Sequence, residues 1–204
     1  MITPTLEIEN SLWAKGYNYI VGIDEVGRGS WAGPLVVAGV ILPKNFVIPE
    51  DLADSKLVKP QARQKLSKFI QQTAVAFATA QIEPRGIDKH GVGQATHEAF
   101  RKVIKILTPV PDFALIDAFY IKRFLRSRQQ AVKDGDKICA SIAAASIVAK
   151  VYRDSLMKKA HFKYPQYGFG KHKGYGTKMH QEAIKKYGFT KIHRLSYNLD
   201  FLFQ

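Results

Sequence analysis

The chain has 204 residues, 46% of them hydrophobic, with 31 Lys and Arg against 17 Asp and Glu for a formal net charge of +14. That length suits one domain with at most a small appendage, and a single cysteine excludes an internal disulfide framework. The longest apolar stretches, 35–42 and 142–149, fall well short of the roughly 20 residues of a membrane helix, and the charge points to a polyanionic partner.

The opening MITPTLEIEN has neither a basic start nor an apolar core, so no signal peptide is expected. Cys139 lies among apolar neighbours and reads as a buried, inert thiol. Together these features suggest a reducing, cytoplasmic compartment and no membrane partner. The basic excess is spread over 56–68, 101–105, 122–128 and 158–191, which suits a surface wrapped around a long ligand such as nucleic acid.

Along the chain, the β-branched and aromatic run Tyr19–Ile23 reads as a strand ending at Asp24-Glu25. Leu35–Pro43 is a second strand, and the short glycine-containing connection predicts an antiparallel pair. Pro60–Gln72 reads as a helix with Leu66, Phe69 and Ile70 inward. A third strand over Ala74–Glu83 is followed by a helix over Ile87–Leu107, with apolar residues at helical spacing and Pro109 and Pro111 beyond it. Phe113–Ile116 is a short strand ending in Asp117, and Gln129–Lys133 is another, leading to Asp136. An alanine-rich helix over Ser141–Lys159 suits close packing on a sheet. After residue 160 aromatic, glycine and basic residues mix, and a last helix covers Lys178–Tyr187. The order, with one antiparallel pair, predicts an α/β fold with a mixed sheet, divided into a domain over 1–160 and a small helical extension over 161–204.

The chemistry resides in the acids. Two consecutive carboxylates at the edge of a buried strand need a metal ion, a basic partner or a bound proton to offset their burial. Asp24 and Asp117 both close apolar strands, so neighbouring strands would bring them to one sheet edge, with Glu25 beside the first and Asp136 able to join. An all-oxygen set selects hard ions, Mg2+ or Mn2+. Clustered carboxylates on a basic chain suit two-metal phosphodiester hydrolysis. Simpler roles remain open for each residue: a strand-end cap or ion pair with Arg28 for Asp24-Glu25, a turn for Asp117, and a solvated turn for Asp134 and Asp136. Asp154 is expected to pair with a nearby base. His90, His97, His161, His172, His180 and His193 are scattered without zinc spacing and read as surface or phosphate-contacting residues. The segment from Gly27 to Gly33 fits neither a dinucleotide fingerprint nor a phosphate-binding P-loop.

Five ordered motifs resemble one family. GIDEVGRGSWAGPLVVAGVIL at 22–42, DSK at 54–56, LID at 115–117, GDKICASIAAASIVAKVYRD at 135–154 and GKHKGYGTKMH at 170–180 are similar to bacterial ribonuclease HII, the type 2 ribonuclease H. The likeness runs from about Tyr19 to His193. It implies a ribonuclease H-like fold with a C-terminal helical extension that contributes to substrate binding. It implies a Mn2+- or Mg2+-dependent endoribonuclease, expected to be a monomer, that cuts RNA in RNA–DNA hybrids and at ribonucleotides embedded in duplex DNA. The products would carry 3′-hydroxyl and 5′-phosphate ends. By position, Asp24, Glu25 and Asp117 match the family's metal-binding acids, and Asp136 its fourth. Gly27, Arg28 and Gly29 match the segment that reads the 2′-hydroxyl, the group that distinguishes RNA from DNA. Tyr175 matches the tyrosine at the junction sugar, and Lys56 would contact phosphate. Ser30-Trp31 and Ala118-Phe119 depart from the family's usual small, proline-like or glycine residues, which puts local substrate fit in question. With only about 18 residues before the first strand, the type with an added N-terminal domain, ribonuclease HIII, is not expected.

Overall fold

The computed structural model describes residues 3–52 and 58–203; Lys56 and the other DSK residues lie outside them. Seven α-helices and five strands are described: α1 Glu7–Ala14, β1 Ile20–Val26, β2 Leu35–Ile41, α2 Pro60–Thr73, β3 Ala76–Ile82, α3 Pro84–Ile106, β4 Phe113–Asp117, β5 Gln129–Val132, α4 Gly135–Ile138, α5 Ala140–Lys163, α6 Phe169–His172 and α7 Lys178–Tyr187.

The strands form one mixed sheet in the order β3-β2-β1-β4-β5. β1 and β2 pair antiparallel, as do β2 and β3, whereas β1–β4 and β4–β5 are parallel. There are therefore two antiparallel pairs where the sequence suggested one. Three layers result. Val21, Ile23, Val37 and Ile116 meet Ala99, Phe100 and Val103 of α3 on one face. Val36, Ala38 and Val40 meet Ala143, Ala144 and Ile147 of α5, with Leu66 and Ile70 of α2, on the other. Each fully buried Val, Leu or Ile contributes about 1.5–3 kcal/mol relative to an exposed one.

α5 packs close to the sheet because small residues allow it. A Cβ on Gly22 would lie 2.2 Å from the Ser141 carbonyl carbon, so β1 at this point accepts only glycine. The alanines at 143–145 and 149 are all fully buried along the same contact. This seats the N-terminal half of α5 directly behind the strand ends that carry the acids.

Several boundaries moved for physical reasons. β1 continues through Val26 because its ladder with β2 runs to Val26 opposite Val36, so Asp24 and Glu25 lie inside the strand and not beyond it. α3 bends at Gly91, whose φ of +77° breaks the helical path that periodicity drew as continuous. Phe69, expected inward, is 38% exposed at the margin of the α2 contact, against Phe46; Arg63 and Ser67 take the buried positions instead. The N-terminal helix α1 was not read from the sequence; its Leu12 packs on Ile20, Phe113 and Leu115.

The C-terminal residues build a further aromatic cluster. Tyr167, Phe169, Ala183 and Ile184 pack with Ala32, Met157, Leu199 and Leu202. The end of the chain thus folds back on the protein. Among the described residues no helix is long and apolar enough to cross a membrane.

Candidate active site at the strand ends

Parallel pairing brings the acids together. Ile23 of β1 lies opposite Ile116 of β4, and both point to the α3 face. One residue further, Asp24 and Asp117 emerge side by side on the α5 face, because side chains alternate along a strand. Glu25 turns to the opposite face at the same sheet edge. The Gly135 N–H donates to Asp117 Oδ1 at 2.8 Å, tying the turn before α4 to the end of β4. Asp136 follows directly and is buried. All four carboxylates line one cleft of about 460 Å³, together with Gly27, Arg28, Gly29 and Tyr175. Every described site residue named from the sequence therefore borders this cleft.

The cleft is electrostatically expensive. Asp24 is only 6% exposed. Burial pushes its carboxyl up to about 7, with the neighbouring Asp117 adding to the rise and a hydrogen bond from Ser146 opposing it. Burial likewise pushes Glu25 up to about 8, with Asp24 adding and Arg28 opposing. Glu25 Oε2 is buried without a hydrogen-bond partner. No ion pair joins Arg28 to either acid among the described residues; its guanidinium lies 4.5 Å over the Phe119 ring instead.

Of the decoy acids, Asp134 is paired with Lys137 at 2.7 Å on the surface. Asp154 pairs with Lys150 at 2.8 Å and Arg63 at 3.5 Å, the basic partners expected for it.

Two buried arginines shape the segment 27–34. Arg153 of α5 donates to the carbonyls of Pro34 at 2.9 Å and Ala32 at 3.1 Å, and to Ser30 Oγ at 2.6 Å. Arg194 donates to the Gly33 carbonyl and, at 2.9 Å, to the Arg28 carbonyl, which also accepts the Tyr197 hydroxyl. In a planar trans peptide the N–H opposes the C=O. Gripping the Arg28 carbonyl from inside therefore aims the Gly29 N–H away from that grip, and Gly29 itself is exposed at the cleft. Gly27 has φ +89°, and a Cβ there would meet Arg153 Nε at 2.0 Å. The family departures at 30–31 belong to this frame: Ser30 accepts Arg153, and Trp31 donates its N–H to the Gly174 carbonyl at 2.8 Å and packs near His180 and Phe201.

On the other side of the cleft, two of the six scattered histidines are not the surface residues the sequence suggested, whereas His90 is exposed as expected. His180 and His193 are 0% and 2% exposed. Their tautomers follow from their partners. His180 Nδ1 donates to the Tyr175 carbonyl at 3.0 Å, so its Nε2 accepts from His193 Nε2–H, also at 3.0 Å. His193 Nδ1 in turn accepts the Thr190 N–H at 2.7 Å. His172, stacked on His180 at 4.5 Å, accepts the Gly174 N–H and donates to the Tyr167 carbonyl. Burial holds His180 and His193 down at about 4, so all three rings are neutral and every ring nitrogen is matched. This chain fixes the backbone of Tyr175. Cys139 is buried, and burial pushes its thiol far above its ordinary range, in keeping with an inert residue.

Sequence reading missed Ser146, Lys150, Arg153, Arg194 and the histidine chain. A signal existed for the first three: in the apolar SIAAASIVAKVYRD they stand at i, i+4 and i+7, a polar stripe on one helix face. Nothing local marks Arg194, whose carbonyl partners are 161 and 166 residues away, and the histidine partners, though only 2–13 residues away, are mostly main-chain atoms that carry no residue identity.

A mixed five-stranded sheet with acids at the ends of its first and fourth strands defines a ribonuclease H-type nuclease. The chain superposes on the ribonuclease H2 of Pyrococcus horikoshii with a TM-score of 0.72 and 25% identity, covering 88% of this chain and 93% of that one. It matches a chain of the PCNA:RNase HII complex from Archaeoglobus fulgidus with a TM-score of 0.73 and 25% identity, over 89% and 96%. Residues 21–199 match the Ribonuclease HII family profile. The ribonuclease HII of Chloroherpeton thalassium is 45% identical over 197 residues, covering 95% of this chain and 96% of that protein, and that of Desulfitobacterium hafniense is 45% identical over 196 residues, covering 96% and 75%. The chain belongs to the ribonuclease HII family. It is accordingly an endoribonuclease of the ribonuclease H type, acting on RNA–DNA hybrids, in a divalent-metal-dependent family.

Among the described residues no three His, Cys, Asp or Glu side chains are arranged to hold an ion as they stand. The donor chemistry nonetheless fits a hard cation: carboxylate oxygens from three segments, two of them raised by burial, and one buried oxygen without a donor.

Proposed function

We propose that Asp24, Glu25, Asp117 and Asp136 hold two divalent ions, Mg2+ or Mn2+, at the scissile phosphate, while Gly27, Arg28, Gly29 and Tyr175 recognise the ribonucleotide. The observation that carries this reading is the incompletely compensated pair Asp24-Glu25, buried at Asp24 and half-buried at Glu25, facing Asp117 and Asp136 in one cleft. Such ions would neutralise phosphate charge, lower the pKa of an attacking water and stabilise the leaving 3′-oxygen.

The protein's own contributions follow from its geometry. The four acids must be deprotonated to act as ligands, so occupancy releases the protons that burial retains on Asp24 and Glu25. The aimed Gly29 N–H and the Arg28 side chain meet the 2′-hydroxyl side of the sugar. The Tyr175 ring, 5.5 Å from the Arg153 guanidinium, packs against the sugar at the RNA–DNA junction. Lys56 would take a phosphate. Residues 1–160 form the catalytic domain, and 161–204 form an extension that supplies Tyr175. The substrates include duplex DNA with an embedded ribonucleotide, the products carry 3′-hydroxyl and 5′-phosphate ends, and the enzyme works as a cytoplasmic monomer.

Cleavage of a duplex containing one ribonucleotide, with ends mapped, tests this directly. Cutting confined to the ribonucleotide, abolished by EDTA and yielding 5′-phosphate, supports the reading. Equal cutting of all-DNA duplex, or ends bearing a 3′-phosphate, would refute it.

A further inference from the structure

A second cavity, of about 430 Å³, lies between α3 and the loop that follows β4. His90, His97, Arg101, Lys122 and Arg123 line it, with Glu98 as the one acid named among its lining residues. Glu98 is already engaged, since Lys102 holds it at 2.7 Å. Among the described residues neither Lys122 nor Arg123 has an acidic partner. A surface built only for solubility would intersperse acids with these bases; here the positive charge is gathered into a concavity and left uncompensated.

The cavity is also shaped. Arg101 donates from Nη1 to the Lys122 carbonyl at 3.0 Å, fixing the loop against α3. Arg123 adopts a left-handed backbone, φ +60°, which is unfavourable for a non-glycine residue and is held by the surrounding turn. His97 Nδ1 is buried without a hydrogen-bond partner. The His97 ring is held below its ordinary range by burial first, then by Lys122, Arg101 and Arg28, so an anion entering here relieves charge crowding. The catalytic cleft is near: Arg28, which lines it and rests on the Phe119 ring, is close enough to the cavity to act on His97.

We infer that this cavity is a second phosphate site, one that engages an internucleotide phosphate of the duplex substrate apart from the phosphate being cut. It rests on the nuclease reading for its ligand, but not for its evidence. The contact positions the duplex without reading bases, because phosphates carry no sequence information. Arg101 and Lys122 supply the charge, and His97 supplies a hydrogen-bonding nitrogen.

The test is Lys122→Ala, which removes an ammonium without disturbing the Arg101 bond to the main-chain carbonyl, with Lys122→Arg as the rescue. Binding of an RNA–DNA hybrid in EDTA, where no cleavage occurs, is measured against salt. The slope of log K against log salt should fall by about 1 for the lost phosphate contact, equally for hybrids of different sequence. In turnover the loss should fall on KM, raised about tenfold, and Lys122→Arg should restore it. A wild-type enzyme that cleaves while Lys122→Ala leaves slope and KM unchanged overturns the phosphate site and leaves the nuclease reading intact. A wild-type protein that fails to cleave but loses slope with Lys122→Ala does the reverse. As a second readout, the His97 ring resonances should move on adding hybrid in EDTA and not on adding inorganic phosphate at the same phosphate concentration. Equal movement with both would reduce the site to a general anion pocket and overturn the inference.

Discussion

The two sides of the cleft treat buried ionisable groups in opposite ways. At the strand ends, Asp24 is buried and Glu25 half-buried, with like-charged neighbours and a buried Glu25 oxygen that no donor meets. Across the cleft, His180 and His193 are buried and His172 half-buried, with every ring nitrogen matched in one consistent set of tautomers. A satisfied buried network specifies structure, whereas an unsatisfied one marks a place where a ligand completes the protein. The contrast separates the residues that act from the residues that hold them still.

The sharpest way to break this contrast is Asp24→Asn. Turnover should fall by at least about 10³-fold, roughly 4 kcal/mol of barrier. The metal-free protein should nevertheless become more stable at pH 8, by about 1–3 kcal/mol, since a buried charge is removed. Denaturant melts in EDTA check the second half; a destabilised variant would make Asp24 structural. His180→Ala should do the opposite, destabilising the fold by about 2–4 kcal/mol through lost packing and two orphaned partners, the Tyr175 carbonyl and His193 Nε2. Its damage to turnover should follow from disorder at Tyr175 and appear first in KM.

pH separates the two regions again. For His180 and His193 the folded state binds protons less readily than the unfolded chain, about 4 against 6.5. Stability therefore falls as pH drops from about 6.5 to 4, by about 1–3 kcal/mol per ring. For Asp24 and Glu25 the folded values, about 7 and 8, lie above the ordinary 3.8 and 4.5. The metal-free fold retains their protons and loses stability as pH rises through that interval. The two windows overlap between about pH 4.5 and 6.5 and oppose each other there, so urea midpoints of the EDTA-treated protein should be nearly flat over that range and decline above about pH 6.5, and added Mg2+ should remove that alkaline decline. The smallest expected effect is at Ala118, whose φ of +56° suits the glycine common in the family. Ala118→Gly should stabilise by about 1 kcal/mol or less, with relief of strain offset by backbone entropy, as read from its Tm.

Much of this was legible in the sequence. The alternation and β-branched runs marked all five strands, and acids placed where apolar runs stop marked Asp24, Glu25 and Asp117. Asp136 alone read as a solvated turn with Asp134, able to join the other acids; the motif around it matched it to the family's fourth acid. The boundaries of β1, the bend at Gly91 and the outward turn of Phe69 were illegible because partner strands, one glycine's dihedral and the curvature of a helix contact decide them. Arg194 and the histidine chain were illegible for a further reason. Their partners are mostly main-chain atoms, 166 residues away for Arg194 and the Arg28 carbonyl but only 2–13 for the histidines, and main-chain atoms carry no residue identity for a sequence to display.

By itself the sequence determined the chemistry: which residues are acidic, where glycine permits close approach, and that the surface is basic. Those depend on side-chain composition and on local periodicity, which are written residue by residue. The tertiary structure alone decided that Asp24 and Asp117 stand side by side, that the Arg28–Gly29 peptide is turned by Arg194, and that three scattered histidines form one neutral chain. Each of these depends on pairing register and on long-range hydrogen bonds, which exist only once the chain has closed on itself.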